Sequence, residues 1–169
     1  MAPRDSIWQR LETRPTVGRT EVGFGDLAEI IGLHISLANA AILQNFKKRF
    51  ETLQLTPKQT SLLWLVSDNP GVSQVDFARL FGIDRATMLA ITNTMTKRGL
   101  IERRAMPNNA RRLGLHLTDA GRAVLAEAKI EVAIHEQWVK QRFTQEELDT
   151  IVSLMARLYE DQDIPGERR

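Results

Sequence analysis

The sequence predicts a mainly α-helical protein in which one two-stranded hairpin separates four helices from two more. Three observations lead to this prediction. Apolar residues recur at spacings of three and four through most of the chain. Serine, threonine or aspartate stands where five of these periodic segments begin, as helix-capping residues do. A single pair of short, strand-like segments surrounds the turn-forming stretch AMPNNA.

The composition is that of an ordinary globular protein. Of the 169 residues, 43% are hydrophobic and 26% are charged, and no apolar run approaches the roughly 20 residues that a membrane helix needs. The first residues, MAPRDSIWQR, lack the apolar stretch of a signal peptide. The chain contains no cysteine, which excludes disulfides and cysteine-ligated zinc. We therefore expect a cytoplasmic protein with no membrane partner.

The N-terminal third predicts an arm followed by two helices. Prolines and glycines interrupt residues 1–23, which we interpret as an N-terminal arm. A helical pattern then runs from Asp26 to about Glu51. The next helix, KQTSLLWLVSD, begins at LTPKQ, where Thr56 and Gln59 have the spacing of a capping box and proline stands at the first helical position.

Two short helices separated by a tight turn come next. Ser73 caps the helix QVDFARLF, which ends at Gly82, and Asp84 caps a helix that ends at Gly99. Glycine at 82 permits the left-handed backbone that a tight turn needs. This arrangement is a helix-turn-helix. The buried contacts between its helices are predicted to come from Phe77, Ala78, Phe81, Ile83, Met88, Ile91 and Met95.

A hairpin and two helices complete the chain. The strands LIERR and RLGLHLT surround the turn at residues 105–110 and make the helix-turn-helix a winged one. Thr118 caps a long helix to about Arg142, and Thr144 opens a last helix to about Tyr159. The prediction is thus an arm (1–23), outer helices (24–55 and 119–160), a winged helix-turn-helix domain (56–118) and a flexible tail (161–169).

Charge is concentrated in the middle of the chain. Residues 79–112 contain eight basic and two acidic residues, a net charge of +6, whereas the whole chain carries only +2. A solvated charged face is the ordinary explanation of such a run. Its coincidence with a helix-turn-helix instead favours a surface that binds a polyanion.

The second helix of the helix-turn-helix has an unusual composition. RATMLAITNTMTK contains four threonines and an asparagine, which are mediocre helix formers, and no carboxylate. A helix enters the major groove of DNA only if its side chains are short enough to approach the base edges. Threonine could supply a hydroxyl to a phosphate or base and a methyl to thymine. The predicted DNA-contacting residues are Ser73, Arg85, Ala86, Thr87, Leu89, Ala90, Asn93, Thr94, Lys97, Arg104, Asn109, Arg111 and Arg112.

Residues 55–104, from LTPKQTSLLWLVSDNPG to TMTKRGLIERR, and the later LTDAGRAVL resemble the MarR family (multiple antibiotic resistance regulators). The resemblance covers about residues 27–160. It implies a homodimeric winged helix-turn-helix repressor in which the outer helices of two chains interlock. It also implies an imperfectly palindromic DNA site and a small effector, such as an aromatic acid or its coenzyme A thioester. No cofactor is implied.

Two positions depart from the family pattern. The wing of the family usually contains Asp-x-Arg, where the aspartate positions the arginine in the minor groove. The matching residues here are Asn109, Ala110 and Arg111, so Arg111 would be oriented by a weaker, neutral hydrogen bond. The recognition helix of the family often has a Ser-Arg pair where this chain has Leu89 and Ala90. Base readout is therefore expected to depend on methyl contacts and on Asn93.

The sequence indicates effector contacts less directly. We name His34, Ala38, Arg49 and Trp64 as candidates. The first two lie on the apolar face of the first helix, and Arg49, at the end of that helix, could meet a carboxylate. Trp64 lies on the second helix, which the resemblance implies borders the effector pocket. For His34 and Trp64 a place in the core is the competing interpretation, and for Arg49 a solvated helix end.

The remaining function classes have less support in the sequence. No phosphate loop, nucleophile elbow, paired catalytic carboxylates or metal-ligand spacing is found, so we predict that the chain is not an enzyme and holds no metal. The alternative function is a winged-helix module that binds another protein. Its interface would not need a concentrated basic patch.

Overall fold

The first part of the chain that the structure describes contains two helical pieces. The computed structural model describes residues 24–106 and 109–160, without the side chains of 109–111. A 3-10 helix covers Gly25–Glu29, and helix α1 covers Ile31–Arg49. The predicted single helix from Asp26 is therefore wrong at its start. Ile30 between the pieces is extended, with ψ 107°, and His34 Nε2 donates to the Ala28 carbonyl at 2.6 Å, which stabilises the break.

Helix α2 begins as the sequence predicts. It covers Pro57–Asp68 and has a complete capping box. The Thr56 N–H donates to Gln59 Oε1 at 2.9 Å, and the Gln59 N–H donates to Thr56 Oγ1 at 3.3 Å. Two backbone donors that the helix cannot satisfy internally are thus paired.

The helix-turn-helix is confirmed. Helix α3 covers Gln74–Leu80 and helix α4 covers Arg85–Lys97. Gly82 in the turn has φ 59°, in the left-handed region that disfavours side chains. The Thr87 N–H donates to the carboxylate of Asp84 at 2.8 Å, which caps α4. Ala78, small as the close crossing requires, is 2% exposed.

The wing is longer than the sequence predicts. Strands β1, Ile101–Met106, and β2, Asn109–Leu117, are antiparallel, with Ile101 opposite Leu117 and a register shift after Ala105. The loop before α3 also pairs with β2. The Gly71 N–H donates to the Leu115 carbonyl at 2.9 Å, and the Leu115 N–H donates to the Val72 carbonyl at 3.0 Å. This pairing attaches the wing to the start of the helix-turn-helix.

The last two helices also begin at their predicted caps. Helix α5 covers Asp119–Lys140 and helix α6 covers Gln145–Tyr159. Thr118 accepts from the Gly121 N–H at 3.0 Å, and Thr144 forms a capping box with Glu147. Within the described ranges, no helix has the length and apolarity needed to cross a bilayer. The predicted arm (1–23), the predicted tail (161–169) and part of the predicted wing turn (107–108) lie outside the described residues.

The described residues divide into two compact units, with the boundary between residues 45 and 46. The core lies in the second unit and combines α2, α3, α4, the wing and α5. Its largest fully buried side chains include Phe50, Leu62, Leu63, Phe77, Met88, Met95, Ile101 and Leu115. Helix α6 differs from the others of that unit, because none of its residues is buried in the single chain.

Candidate nucleic-acid interface

The exposed face of α4 matches the predicted contact surface. Met88, Thr92 and Met95 are buried and attach the helix to the core. Thr87 is half-buried. The exposed residues of the helix are Arg85, Ala86, Leu89, Ala90, Asn93, Thr94 and Lys97. This face carries a basic residue near each end, short neutral side chains between them and no carboxylate.

The threonine hydroxyls of α4 form hydrogen bonds within the protein. Thr92 is fully buried and its hydroxyl lies 3.0 Å from the Met88 carbonyl. The hydroxyls of Thr94 and Thr96 donate to the Ala90 and Thr92 carbonyls at 3.0 and 2.8 Å. Threonine hydroxyls in helices commonly donate to the preceding turn in this way. These hydroxyl protons are therefore used inside the helix, and their contact with DNA stays a prediction.

Asp84 provides the only carboxylate at the start of α4. Thr87 donates to it through both its hydroxyl, at 2.6 Å, and its backbone N–H. These hydrogen bonds lower the pKa of the Asp84 carboxyl below its usual value. The ionised cap also interacts favourably with the positive end of the helix dipole.

Ser73, predicted both to cap a helix and to contact DNA, has a clear structural role. Its side chain is only 6% exposed. The hydroxyl donates to Asp76 Oδ2 at 2.6 Å and accepts from the Asp76 N–H at 3.3 Å. This hydroxyl is occupied in capping α3, and its contact with DNA stays a prediction.

Several basic residues of the +6 segment are paired within the protein. Arg98 donates to the Gln54 and Leu53 carbonyls at 2.7 and 2.8 Å, which ties the end of α4 to the loop after α1. Arg104 forms a salt bridge with Glu102 on the same strand. Arg98 and Arg104 therefore keep their charges but are held by partners within the protein.

Asp76 links α3 to the wing. It lies 3.7 Å from Arg112 Nη2 and 3.5 Å from Arg79 Nη1. These two arginines and Arg103 line a cavity of about 390 Å³ beside β2. Asn109 and Arg111 belong to β2, but their side chains are outside the described part of the chain. Asp76 thus provides a carboxylate partner to Arg112 of β2.

An aromatic cluster that sequence reasoning missed lies where α1 meets α5 in the second unit. Phe46 stacks on Phe50 with ring centroids 3.9 Å apart and contacts His135 edge-on at 5.5 Å. The His135 ring stacks with Trp138 at 6.2 Å. The spacing of four between the phenylalanines and of three between the other two residues was the available signal, since such pairs share one face of a helix.

His135 has an altered protonation equilibrium. Burial lowers its pKa, Glu136 raises it, and the positive charge of Arg49 lowers it. The net direction is down, so the neutral ring is favoured in the folded protein.

We expect this histidine to make the protein less stable in mild acid. The unfolded state binds a proton near pH 6.5, whereas the folded state resists it, so the contribution of His135 is complete above about pH 6.5 and decreases as pH falls below that value. Urea unfolding at one protein concentration between pH 7.5 and 5 should show a shallower pH dependence for His135→Phe than for the wild type. The carboxyl groups common to both proteins cancel in this comparison. Parallel curves would contradict the expectation.

The four candidate effector residues fall in different compact units. His34 and Ala38 belong to the first, where His34 is half-buried and Ala38 is exposed. Arg49 and Trp64 belong to the second. Arg49 lies 3.5 Å from Glu131, and its buried Nε has no hydrogen-bond acceptor among the described atoms. The ammonium of Lys129 lies 4.6 Å from the centre of the Trp64 ring, as a cation–π contact.

A helix-turn-helix followed by a two-stranded wing, with a short and carboxylate-free face on the second helix, defines the class of winged helix-turn-helix regulators. Comparison with known proteins identifies the family within this class. The sequence pattern of the MarR family matches residues 55–113. A protein described as the transcriptional regulatory protein for the hcr operon of Thauera aromatica is 30% identical over 151 residues, which cover 88% of this chain and 91% of that protein. The chain belongs to the MarR family.

Solved structures agree with this assignment. The transcriptional repressor CouR bound to a 23-mer DNA duplex is 34% identical, with a TM-score of 0.77 over 82% of this chain and 99% of CouR. CouR bound to p-coumaroyl-CoA is 33% identical, with a TM-score of 0.76 over 84% of this chain and all of that one. These neighbours confirm the predicted winged fold, and the family is dimeric.

Proposed function

We propose that this protein is a homodimeric repressor that binds an imperfect palindrome in double-stranded DNA and releases it when a small aromatic acid or its coenzyme A thioester binds. The observation that carries the DNA-binding part is the exposed face of α4, which has no carboxylate and has Arg85 and Lys97 at its ends. A regulator of this kind works where its DNA is, so we place it in the cytoplasm.

The shape of this face suits the major groove. Ala86 and Ala90 have the smallest side chains after glycine, so the backbone of α4 can come close to the base edges. Leu89 is 43% exposed and offers an apolar surface to a thymine methyl. Arg85 and Lys97 are placed to contact phosphates, which fix the register of a protein on DNA. Asn93 is the exposed neutral residue of this face best able to hydrogen-bond to a base.

The dimer part of the proposal is supported by α6. Apolar residues of this helix are exposed in the single chain along one stripe: Ile151, Leu154, Met155 and Leu158. Their spacing of three and four puts them on one face of the helix. Exposed apolar stripes of this length mark interfaces between proteins. In a dimer, two recognition helices would contact half-sites about 34 Å apart.

The salt dependence of DNA binding tests the proposal. Each phosphate contact releases a counterion, so the logarithm of the association constant should fall linearly and steeply with the logarithm of salt concentration. Sequence-dependent binding with such a slope is expected from the homodimer on duplexes selected from a random library. A chain that behaves as a monomer at micromolar concentration, or that shows no sequence-dependent DNA binding, would contradict it and favour the alternative of a protein-interaction module.

The wing should contribute unequally through its two arginines. We expect Arg111→Ala to weaken DNA binding more than Arg112→Ala, because the register of β2 places residue 111 nearer the turn and Arg112 lies beside Asp76. The salt slope of Arg111→Ala should fall by about one. Titration of labelled duplex at several salt concentrations measures both quantities. Equal affinities of the wild type and Arg111→Ala at physiological salt would show that the wing is not used.

The effector class is supported by a similar protein of known structure and by a buried hydrogen-bond donor of this chain. CouR, to which this protein is similar over most of its length, was solved with an aromatic coenzyme A thioester. Here the half-buried Trp138 ring, which stacks on the buried His135, offers aromatic surface, and the buried Arg49 Nε has a proton to donate. A buried donor without an acceptor costs about 1–3 kcal/mol, which a carbonyl or carboxylate oxygen of a ligand would recover.

We expect His34→Ala to lower effector affinity and to leave DNA affinity nearly unchanged. A thermal-shift screen of aromatic acids and their coenzyme A thioesters would first identify the effector, because a ligand that binds only the folded state raises its stability. Titration calorimetry would then compare the variant with the wild type. If His34→Ala unfolds the dimer and leaves binding per folded protein unchanged, then His34 is a core residue and the effector binds elsewhere.

A further inference from the structure

The side chain of Arg103 reaches from strand β1 to the recognition helix. Its Nη2 donates to Asn93 Oδ1 at 2.7 Å, to Thr92 Oγ1 at 3.1 Å and to Gln74 Oε1 at 3.5 Å. Asn93 is exposed, whereas Thr92 is fully buried. The guanidinium thus lies between the interior of the helix-turn-helix and the one amide on its exposed face.

This contact determines which way the amide of Asn93 is turned. An arginine side chain has five N–H donors and no acceptor, so only the oxygen of the amide can face it favourably. The hydrogen bond is charge-assisted and short, which makes it stronger than a neutral one. Thr92 and Gln74 supply further oxygens to the same nitrogen and hold the guanidinium in place. The NH2 group of Asn93 is consequently the end left for a ligand.

The two ends of an asparagine amide recognise different bases. Adenine is recognised when the amide oxygen accepts from its N6 amino group while the NH2 donates to N7. Guanine presents only acceptors, N7 and O6, in the major groove, and thymine presents one acceptor and a methyl group. An amide whose oxygen is held by Arg103 therefore matches guanine and is poorly placed for adenine.

We infer that Arg103 is a positioning residue that turns the Asn93 amide so that the recognition helix selects guanine rather than adenine at one position of each half-site. This inference rests on the proposed contact of α4 with the major groove. The inference adds a base preference to that contact. The residue that controls this preference, Arg103, lies on the wing strand β1 and does not itself have to contact a base.

Selection of binding sites from a random duplex library tests the inference with the full-length dimer. The position that Asn93 reads is the one whose base preference Asn93→Ala abolishes. At that position the wild type should prefer guanine to adenine by at least fivefold, the lower end of what one good base contact provides. Arg103→Met should lower this preference to less than twofold, because the amide becomes free to turn. Arg103→Lys keeps a cationic donor and should retain part of the preference.

Arg104→Met is the matched control. It removes the same charge from the neighbouring residue of β1, whose partner is Glu102 and not Asn93. It should reduce affinity for all sequences alike and reduce the salt slope, with the base preference retained. A change of base preference as large as that of Arg103→Met would show that charge, and not the hydrogen bond to Asn93, is responsible.

The outcomes separate this inference from the proposed function. A wild type that selects no sequence would overturn both. Two results would overturn the inference alone, whether or not the Arg103 variants fold. In the first, the wild type selects a palindrome but prefers adenine at the position that Asn93 reads. In the second, Asn93→Ala changes the base preference at no position. A folded Arg103→Met protein with the wild-type preference would also overturn the inference alone.

Discussion

Gly121→Ala is expected to destabilise the protein by about 3 kcal/mol or more. A Cβ atom at this position would lie 2.0 Å from the Leu100 carbonyl oxygen and 2.9 Å from its carbon. Both are backbone atoms, so no side-chain rotation relieves the overlap. Alanine would gain about 1 kcal/mol of helix propensity over glycine, which is small beside the cost of moving packed backbone.

The displacement would also break hydrogen bonds where β1, β2 and α5 meet. The Leu100 carbonyl accepts from the Thr118 N–H at 3.2 Å, and the Gly121 N–H donates to the hydroxyl of Thr118 that caps α5. Moving Leu100, which is 4% exposed, therefore disturbs the cap and the core together. The loss corresponds to roughly 6–12 °C in Tm for a chain of this size.

Ala120→Ser is a suitable control for Gly121→Ala. It also adds one heavy atom in the first turn of α5, but at an exposed position. Its cost should remain near the roughly 0.5 kcal/mol difference in helix propensity. Urea unfolding at equal protein concentrations compares the two variants. A Gly121→Ala protein as stable as Ala120→Ser would show that the helix and the strand do not approach as closely as described.

Ala90→Glu should abolish operator binding while leaving the fold intact. Residue 90 is exposed at the middle of the carboxylate-free face of α4, between Leu89 and Asn93 in sequence. A glutamate there would hold the helix away from the base edges and bring a negative charge towards phosphates. Unfavourable charge juxtaposition in an interface costs several kcal/mol, so we expect affinity to fall by more than 100-fold, about 2.7 kcal/mol.

Ala90→Ser separates the effect of charge and length from the effect of adding a small polar group at this position. Serine is short and uncharged, so its affinity for the operator should stay within about tenfold of the wild type. Fluorescence anisotropy with a labelled duplex measures both variants, and thermal unfolding checks that each remains folded. If Ala90→Glu binds the operator as tightly as Ala90→Ser does, then α4 does not enter the major groove and a different surface of the protein binds DNA.

Local chemistry in the sequence was sufficient for most element boundaries. Thr56, Ser73, Asp84, Thr118 and Thr144 all cap the helices predicted from them. These caps depend on residues three positions apart, so no knowledge of the rest of the fold is needed. The same holds for the exposed face of α4, because its residues follow from the spacing of the buried ones.

Contacts between residues distant in the sequence were decided only by the tertiary structure. Periodicity did not reveal the break at Ile30, which a hydrogen bond from His34 stabilises. In the sequence, Arg98 and Arg103 were only two of the charges of the basic segment. In the structure, Arg98 donates to backbone carbonyls and Arg103 donates to Asn93. A side chain's partners depend on which elements the fold brings together, and a long arginine reaches residues that no local pattern connects to it. The sequence by itself therefore determined the family, the element order and the face of the recognition helix, and the tertiary structure determined which of its polar groups remain available to DNA.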